Sequence, residues 1–157
     1  MAETARRPII IGIGNTDRGD DAAGRMVAQR LADLLPPAIT VVELDGEVTS
    51  LLSHLETASA AWLIDACRSG APTGTIKRFD AGTTALPQDL GDLSSHVIGL
   101  AEAVELARAL GRLPPRCIIY AIEAASFEHG APVTPAVAKA VEKVAEQVAS
   151  EISALCL

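Results

Sequence analysis

Apolar positions along this chain switch between two periods, and the switches mark the elements. Ile9 to Ile13 is a short unbroken apolar run that closes on Gly12-Ile13-Gly14-Asn15, the mark of a buried strand ending in a tight loop. From Asp21 the spacing becomes helical, through Ala23, Met26, Val27, Leu31, Leu34 and Leu35, until Pro36-Pro37 stops the helix. Ala38 to Leu44 is a second strand rich in β-branched residues, and Asp45-Gly46 turns into a short helix carrying Val48, Leu51, Leu52 and Leu55. Ala60 to Ile64 is a third strand, ending at Asp65.

The segment Ser69 to Gly74 then leads to a fourth strand, Thr75 to Phe79. A parallel neighbour needs a crossover of a dozen or more residues, so this strand is expected to run antiparallel. A loop through Pro87 to His96 precedes a helix with Val97, Leu100, Ala101, Val104 and Ala107, which Gly111 ends. Arg116 to Ile122 is the fifth strand. Thr134-Pro135 supplies an N-cap and a first-turn proline for a last helix burying Val137, Val141, Val144, Val148, Ile152 and Leu155. This alternation predicts a three-layer α/β/α sandwich over a mostly parallel five-stranded sheet with one strand antiparallel. With no repeat, linker or low-complexity stretch, residues 1–157 read as one domain.

Composition narrows the function classes. Aromatics are 3% of the chain, so Val, Ile, Leu and Ala must fill the core. A net charge of −7, with no basic cluster, argues against nucleic acid as a partner. The apolar run at Ile9 is too short for a membrane span or a signal core, which makes the cytoplasm the expected location. Cys67, Cys117 and Cys156 are odd in number and far apart, giving neither a disulfide framework nor a zinc knot.

In open α/β sheets ligands sit beyond the C-terminal ends of the strands, where strand order reverses. Asn15, Asp20, Asp21, Asp45, Asp65 and Glu123 all fall at or just after strand ends, and His96 precedes a helix that can reach the same rim. Carboxylates with one imidazole suit a divalent transition metal with open positions. Each residue also has a plainer reading: Asp20 as an N-cap, Asp21 as a first-turn acid favoured by the helix dipole, His96 as a cap or pocket filler. Asp65 is harder to explain plainly, because an acid at the end of an apolar strand is costly unless it is paired or lines a cleft. Cys67 is expected to be a small buried residue, and His54 and His129 to be surface or loop residues. A dinucleotide site is an alternative raised by Gly12-Ile13-Gly14, but Asp17 stands where the third glycine belongs and the nearby acids repel a pyrophosphate. No Gly-x-Ser-x-Gly, HExxH or convincing Cys-His pair is present.

Gly12-Ile13-Gly14-Asn15-Thr16-Asp17-Arg18-Gly19-Asp20-Asp21-Ala22-Ala23-Gly24 resembles the N-terminal signature of hydrogenase maturation endopeptidases. The likeness continues through Leu44-Asp45-Gly46, Ile64-Asp65-Ala66, Ser95-His96 with Gly99-Leu100, and Thr134-Pro135. It implies a nickel-dependent peptidase that removes the C-terminal extension of a [NiFe]-hydrogenase large-subunit precursor after nickel insertion. The family's metal ligands fall on Asp21, Asp65 and His96, with Asp45 close by as a further catalytic candidate. Asp21 stands where some members carry Glu. Nickel, supplied by the substrate or replaced by another divalent ion, is the implied metal, and a monomer with no membrane partner is the implied state. A non-enzymatic nickel chaperone or sensor of the same fold is the remaining alternative.

Overall fold

The computed structural model describes residues 5–87, 92–93 and 100–155. Strand β1 (Arg7–Ile13) is followed by a 3-10 turn (Gly19–Ala22), helix α1 (Ala23–Leu34), strand β2 (Thr40–Leu44) and helix α2 (Val48–Thr57). Strands β3 (Ala58–Arg68), β4 (Ile76–Asp80) and the two-residue β5 (Asp92–Leu93) come next. Helix α3 (Leu100–Ala109), strand β6 (Arg116–Glu123) and the long helix α4 (Pro135–Leu155) complete the chain.

The main sheet has the order β2-β1-β3-β6-β4. β1 pairs in parallel with β2 and β3, β3 pairs in parallel with β6, and β4 runs antiparallel to β6. The expected mixed sheet is present, with one addition: β5 adds two antiparallel pairs, Cys67 to Leu93 and Arg68 to Asp92. From β1 the chain goes to β2 on one side and returns to β3 on the other. The point where strand order reverses therefore lies between β1 and β3.

Strands buried on both faces need no alternation, and β1 and β3 are nearly continuous runs of buried residues. Side chains of β3 divide between the faces. Ala60, Trp62, Ile64 and Ala66 pack with α1 and α4, while Ala61, Leu63 and Cys67 pack with α2 and α3. The helix pairs α1·α4 and α2·α3 form the outer layers. In α4, Val137, Val141, Val144, Val148 and Ile152 are buried as the spacing predicts, whereas Leu155 is exposed. Leu34, the last residue of α1, is likewise 49% exposed although it shares the face of Ala23, Val27 and Leu31. Val97 lies outside the described residues.

One boundary differs in a way that matters for function. β3 does not end at Asp65 but runs on to Arg68, because β6 keeps pace with it through Asp65↔Ala121, Ala66↔Ile122 and Cys67↔Glu123. Asp65 is therefore an acid inside a central strand, on the face that α2 and α3 cover.

Candidate active site

Four acids are buried among the described residues: Asp20, Asp21, Asp65 and Glu123. All lie at the C-terminal ends of parallel strands or in the turn after β1. Two of them hold loops, and two lie at the β1–β3 crevice.

Asp20 holds the β6–α4 connection. Its carboxylate accepts the backbone N–H of Ala125 at 2.8 Å and of Thr134 at 2.7 Å, and the Thr134 hydroxyl at 3.1 Å. Its own N–H donates to the Ser126 carbonyl at 3.0 Å. Asp20 is thus no N-cap of α1, since it lies within the 3-10 turn before the helix and its oxygens turn to a loop more than a hundred positions away in sequence. Thr134 likewise gives its hydroxyl to Asp20.

Glu123 holds the β3–β4 connection. It accepts the N–H of Ser69 at 2.8 Å and of Ala71 at 3.0 Å, with the Ser69 hydroxyl and the Cys67 thiol, the latter at 3.1 Å. Burial pushes this carboxyl up, but the donors at Cys67, Ser69 and Ala71 together outweigh it, and the group ends below its ordinary value. Lys77 donates to the Ser69 hydroxyl at 2.6 Å and brings a positive charge to the same network. Burial, followed by the bond to Glu123, pushes the Cys67 thiol up to about 12. Cys67 is accordingly a buried, protonated structural side chain; it lies inside β3, on the same face as Asp65.

Asp21 and Asp65 are both fully buried. The main-chain N–H of Asn15 donates to Asp21 Oδ2 at 3.1 Å, and the Ala66 N–H donates to Asp65 Oδ1 at 2.8 Å. Glycine makes their approach possible. A Cβ on Gly14, whose φ is 145°, would stand 1.9 Å from the Asp21 carbonyl oxygen. A Cβ on Gly24 would stand 2.3 Å from the carbonyl oxygen of Ile64 and 2.4 Å from that of Ile13. The start of α1 is therefore pressed against both β1 and β3, and the turn bearing Asp21 packs on the strand bearing Asp65. Asn15 also folds the loop on itself, accepting the Asp17 N–H at 2.8 Å. The loop that resembled a dinucleotide fingerprint thus gives its Asn15 amide to Asp21 and has Asp21 backbone packed on Gly14.

The other expected residues are placed differently. Asp45 is exposed in the turn after β2, accepting the Glu47 N–H at 3.1 Å, and Gly14 N–H donates to Leu44 just before it. His96 lies outside the described residues. Leu93 pairs with Cys67, and Leu100 is buried in the same cluster as Leu63 and Cys67. His54 is half-buried on α2, its Nδ1 at 2.7 Å from the Ser50 carbonyl, and His129 is exposed in the β6–α4 loop. Among the described residues no three His, Cys, Asp or Glu side chains are grouped to hold a metal. No described helix is long and apolar enough to cross a membrane.

HupD of Rhodobacter capsulatus, a hydrogenase expression/formation protein, is 26% identical over 135 residues, covering 84% of this chain and 64% of HupD. HoxM of Cupriavidus necator, described in the same words, is 29% identical over 115 residues, covering 71% of this chain and 56% of HoxM. The chain thus spans less than two thirds of the length of these curated relatives. Among solved structures, the hydrogenase maturating endopeptidase HybD from Escherichia coli superposes with a TM-score of 0.75 at 24% identity, covering 94% of this chain and 92% of HybD. The [NiFe] hydrogenase maturation protease HycI from Thermococcus kodakarensis gives 0.66 at 24% identity, covering 92% and 90%. At such identities these structures establish the shared fold. The sequence profile of the hydrogenase maturation protease family (HycI) matches residues 26–151, a span that includes Asp45, Asp65 and His96, and on that match the chain belongs to the hydrogenase maturation protease family.

Proposed function

We propose that this protein is an endopeptidase that removes the C-terminal extension of a [NiFe]-hydrogenase large-subunit precursor once nickel has been inserted. In this reading the nickel belongs to the substrate, and Asp21, Asp65 and His96 take up its open coordination positions. The observation that carries the reading is the placement of two fully buried carboxylates at the strand-order reversal, with the chain flanking His96 anchored beside one of them. Leu93 is paired two residues beyond Asp65, and three residues of chain reach roughly 10 Å from there.

The donor set suits a borderline transition metal: carboxylate oxygens supply charge, and an imidazole disfavours calcium and magnesium. Other divalent ions can then substitute in binding. A divalent ion held by Asp21, Asp65 and His96 would supply the recognition element and a Lewis acid near the scissile carbonyl. Asn15 orients Asp21 through its backbone N–H, and Ala66 does the same for Asp65. In this reading Asp45, exposed in the turn after β2, would meet the incoming peptide. Hydrolysis adds water to the scissile carbonyl and breaks the C–N bond, with a proton passing to the departing amine. We expect the reaction to take place in the cytoplasm on a monomeric enzyme.

The test mixes purified protein with nickel-loaded large-subunit precursor and follows loss of the C-terminal tail by mass spectrometry. Nickel-free precursor and the Asp21→Ala and His96→Ala variants run alongside. Cleavage that requires nickel and both side chains supports the whole reading. Cleavage that survives both substitutions removes the metal site and leaves the peptidase. Nickel binding without any cleavage would favour a chaperone instead.

A further inference from the structure

β4 is the edge of the sheet beyond β6, and among the described residues no strand covers its outer side. Its backbone parity follows from two bonds to β6. Glu123 N–H donates to the Thr75 carbonyl at 2.8 Å, and Ala81 N–H donates to the Cys117 carbonyl at 2.8 Å. Odd-numbered residues of this strand therefore face β6, which leaves the N–H and C=O groups of Ile76, Arg78 and Asp80 pointing outward.

Along this edge runs an open groove of about 610 Å³, walled by β4 on one side and α4 on the other. Its floor includes Ile76 and Tyr120, and its helical wall presents Ala136, Ala140, Lys139 and Lys143. The small alanines leave room for a close neighbour. Lys139 and Lys143 are two of the three lysines in the chain, and both are exposed. Neither is in an ion pair with a described residue, whereas Arg78 is paired with Glu151 and Glu142 with Arg30. On a protein of net charge −7 this is a local positive rail.

We propose that this groove binds an extended acidic segment of a partner protein, which adds as a strand to the edge of β4. Two spacings match. Lys139 and Lys143 are one helical turn apart, a rise of about 6 Å, and alternate side chains on one face of a strand repeat every 6.6 to 6.8 Å or so. Acids at alternate positions of the segment meet the two lysines, while its backbone meets the open groups of Ile76 and Arg78. The site lies on the α1/α4 face, opposite the one Asp65 occupies. It stands whether or not the peptidase reading does.

The test uses the whole chain and a fluorescein-labelled peptide of about eight residues alternating Glu and Val, a typical strand length. Fluorescence anisotropy follows its binding, and amide shifts locate it. Saturable binding is expected, weakened by about tenfold in Lys139→Glu/Lys143→Glu and by added salt, with the largest shifts at the Ile76 and Arg78 amides. Both lysines are exposed, so circular dichroism is expected to show the variant folded. Equal binding of a Lys-Val peptide, or unchanged affinity in the double variant, overturns the proposal. So does full competition by inorganic phosphate or a short oligonucleotide, which would make the groove a general anion site.

Discussion

Asp20 and Asp21 are adjacent, chemically identical and both buried, yet they serve different regions of the molecule. Asp20 faces the loop after β6 and gathers the amides of Ala125 and Thr134 with the Thr134 hydroxyl. Asp21 faces the end of β1, where it receives the Asn15 amide, in a turn packed on the strand of Asp65. A single 3-10 turn separates the two roles, because consecutive residues in so tight a turn project in different directions. An acidic pair in a motif is therefore not one feature. Half of this pair builds the rim, and half lines what the rim encloses.

The contrast is sharpest if the two acids are removed one at a time. Asp21→Asn and Asp65→Asn are expected to bring precursor cleavage below detection by mass spectrometry while the protein stays folded, the largest effect foreseen here. Asp20→Asn is expected to lower stability in urea unfolding by about 2–4 kcal/mol, because charge-assisted bonds weaken and loop amides face a donor where an acceptor stood. If Asp20→Asn left stability unchanged, or if Asp21→Asn cost as much, the division of labour would be wrong. Glu123→Gln tests the second loop clasp and is expected to cost about 1–2 kcal/mol, since one oxygen remains to accept the Ser69 and Ala71 amides.

The same clasp has a pH signature. Burial raises Glu123 and its donors lower it, with a net fall from 4.5, so its contribution is complete above that value and is lost as acid protonates the folded form. Unfolding midpoints measured below pH 4.5 are expected to fall faster for the native protein than for Glu123→Gln. The smallest effect belongs to Glu47, which caps α2 by accepting the Thr49 and Ser50 amides. Those bonds, Thr49 first, hold its carboxyl down at about 2, so the cap's contribution is complete above 4.5 and is lost progressively as pH falls towards 2. A Glu47→Gln variant is expected to show a flatter stability profile between pH 4.5 and 2.

Much of this architecture is legible in the residues. Period changes mark β1, α1, β6 and α4, and the short Ser69–Gly74 segment correctly forbids a parallel β4. The end of β3 is misread for a physical reason. In the sequence a charge closes the apolar run, but strand length is set by pairing, and β6 carries β3 on to Arg68. The roles of Asp20 and Glu123 are hidden for a related reason: their partners lie 105 to 114 and 52 to 56 positions away, beyond any local pattern. The signal that was available is chemical. Glu123 closes the apolar run Cys117–Ile122, and a buried acid there requires donors. Gly14 and Gly24 are easier to see as glycines than as contacts, since only the fold shows what a methyl group would strike.

The Asp20–Thr134 clasp also sets an order of events during synthesis. The Asp20 carboxylate leaves the ribosome early, but the amide it needs at Thr134 is made 114 residues later. Until then the nascent chain has no donor from Thr134 with which to bury that charge, and the turn shared with Asp21 cannot take its final shape. The crevice is therefore assembled late, when the start of α4 comes off the ribosome, and a chain stalled before Thr134 would carry the motif without the site.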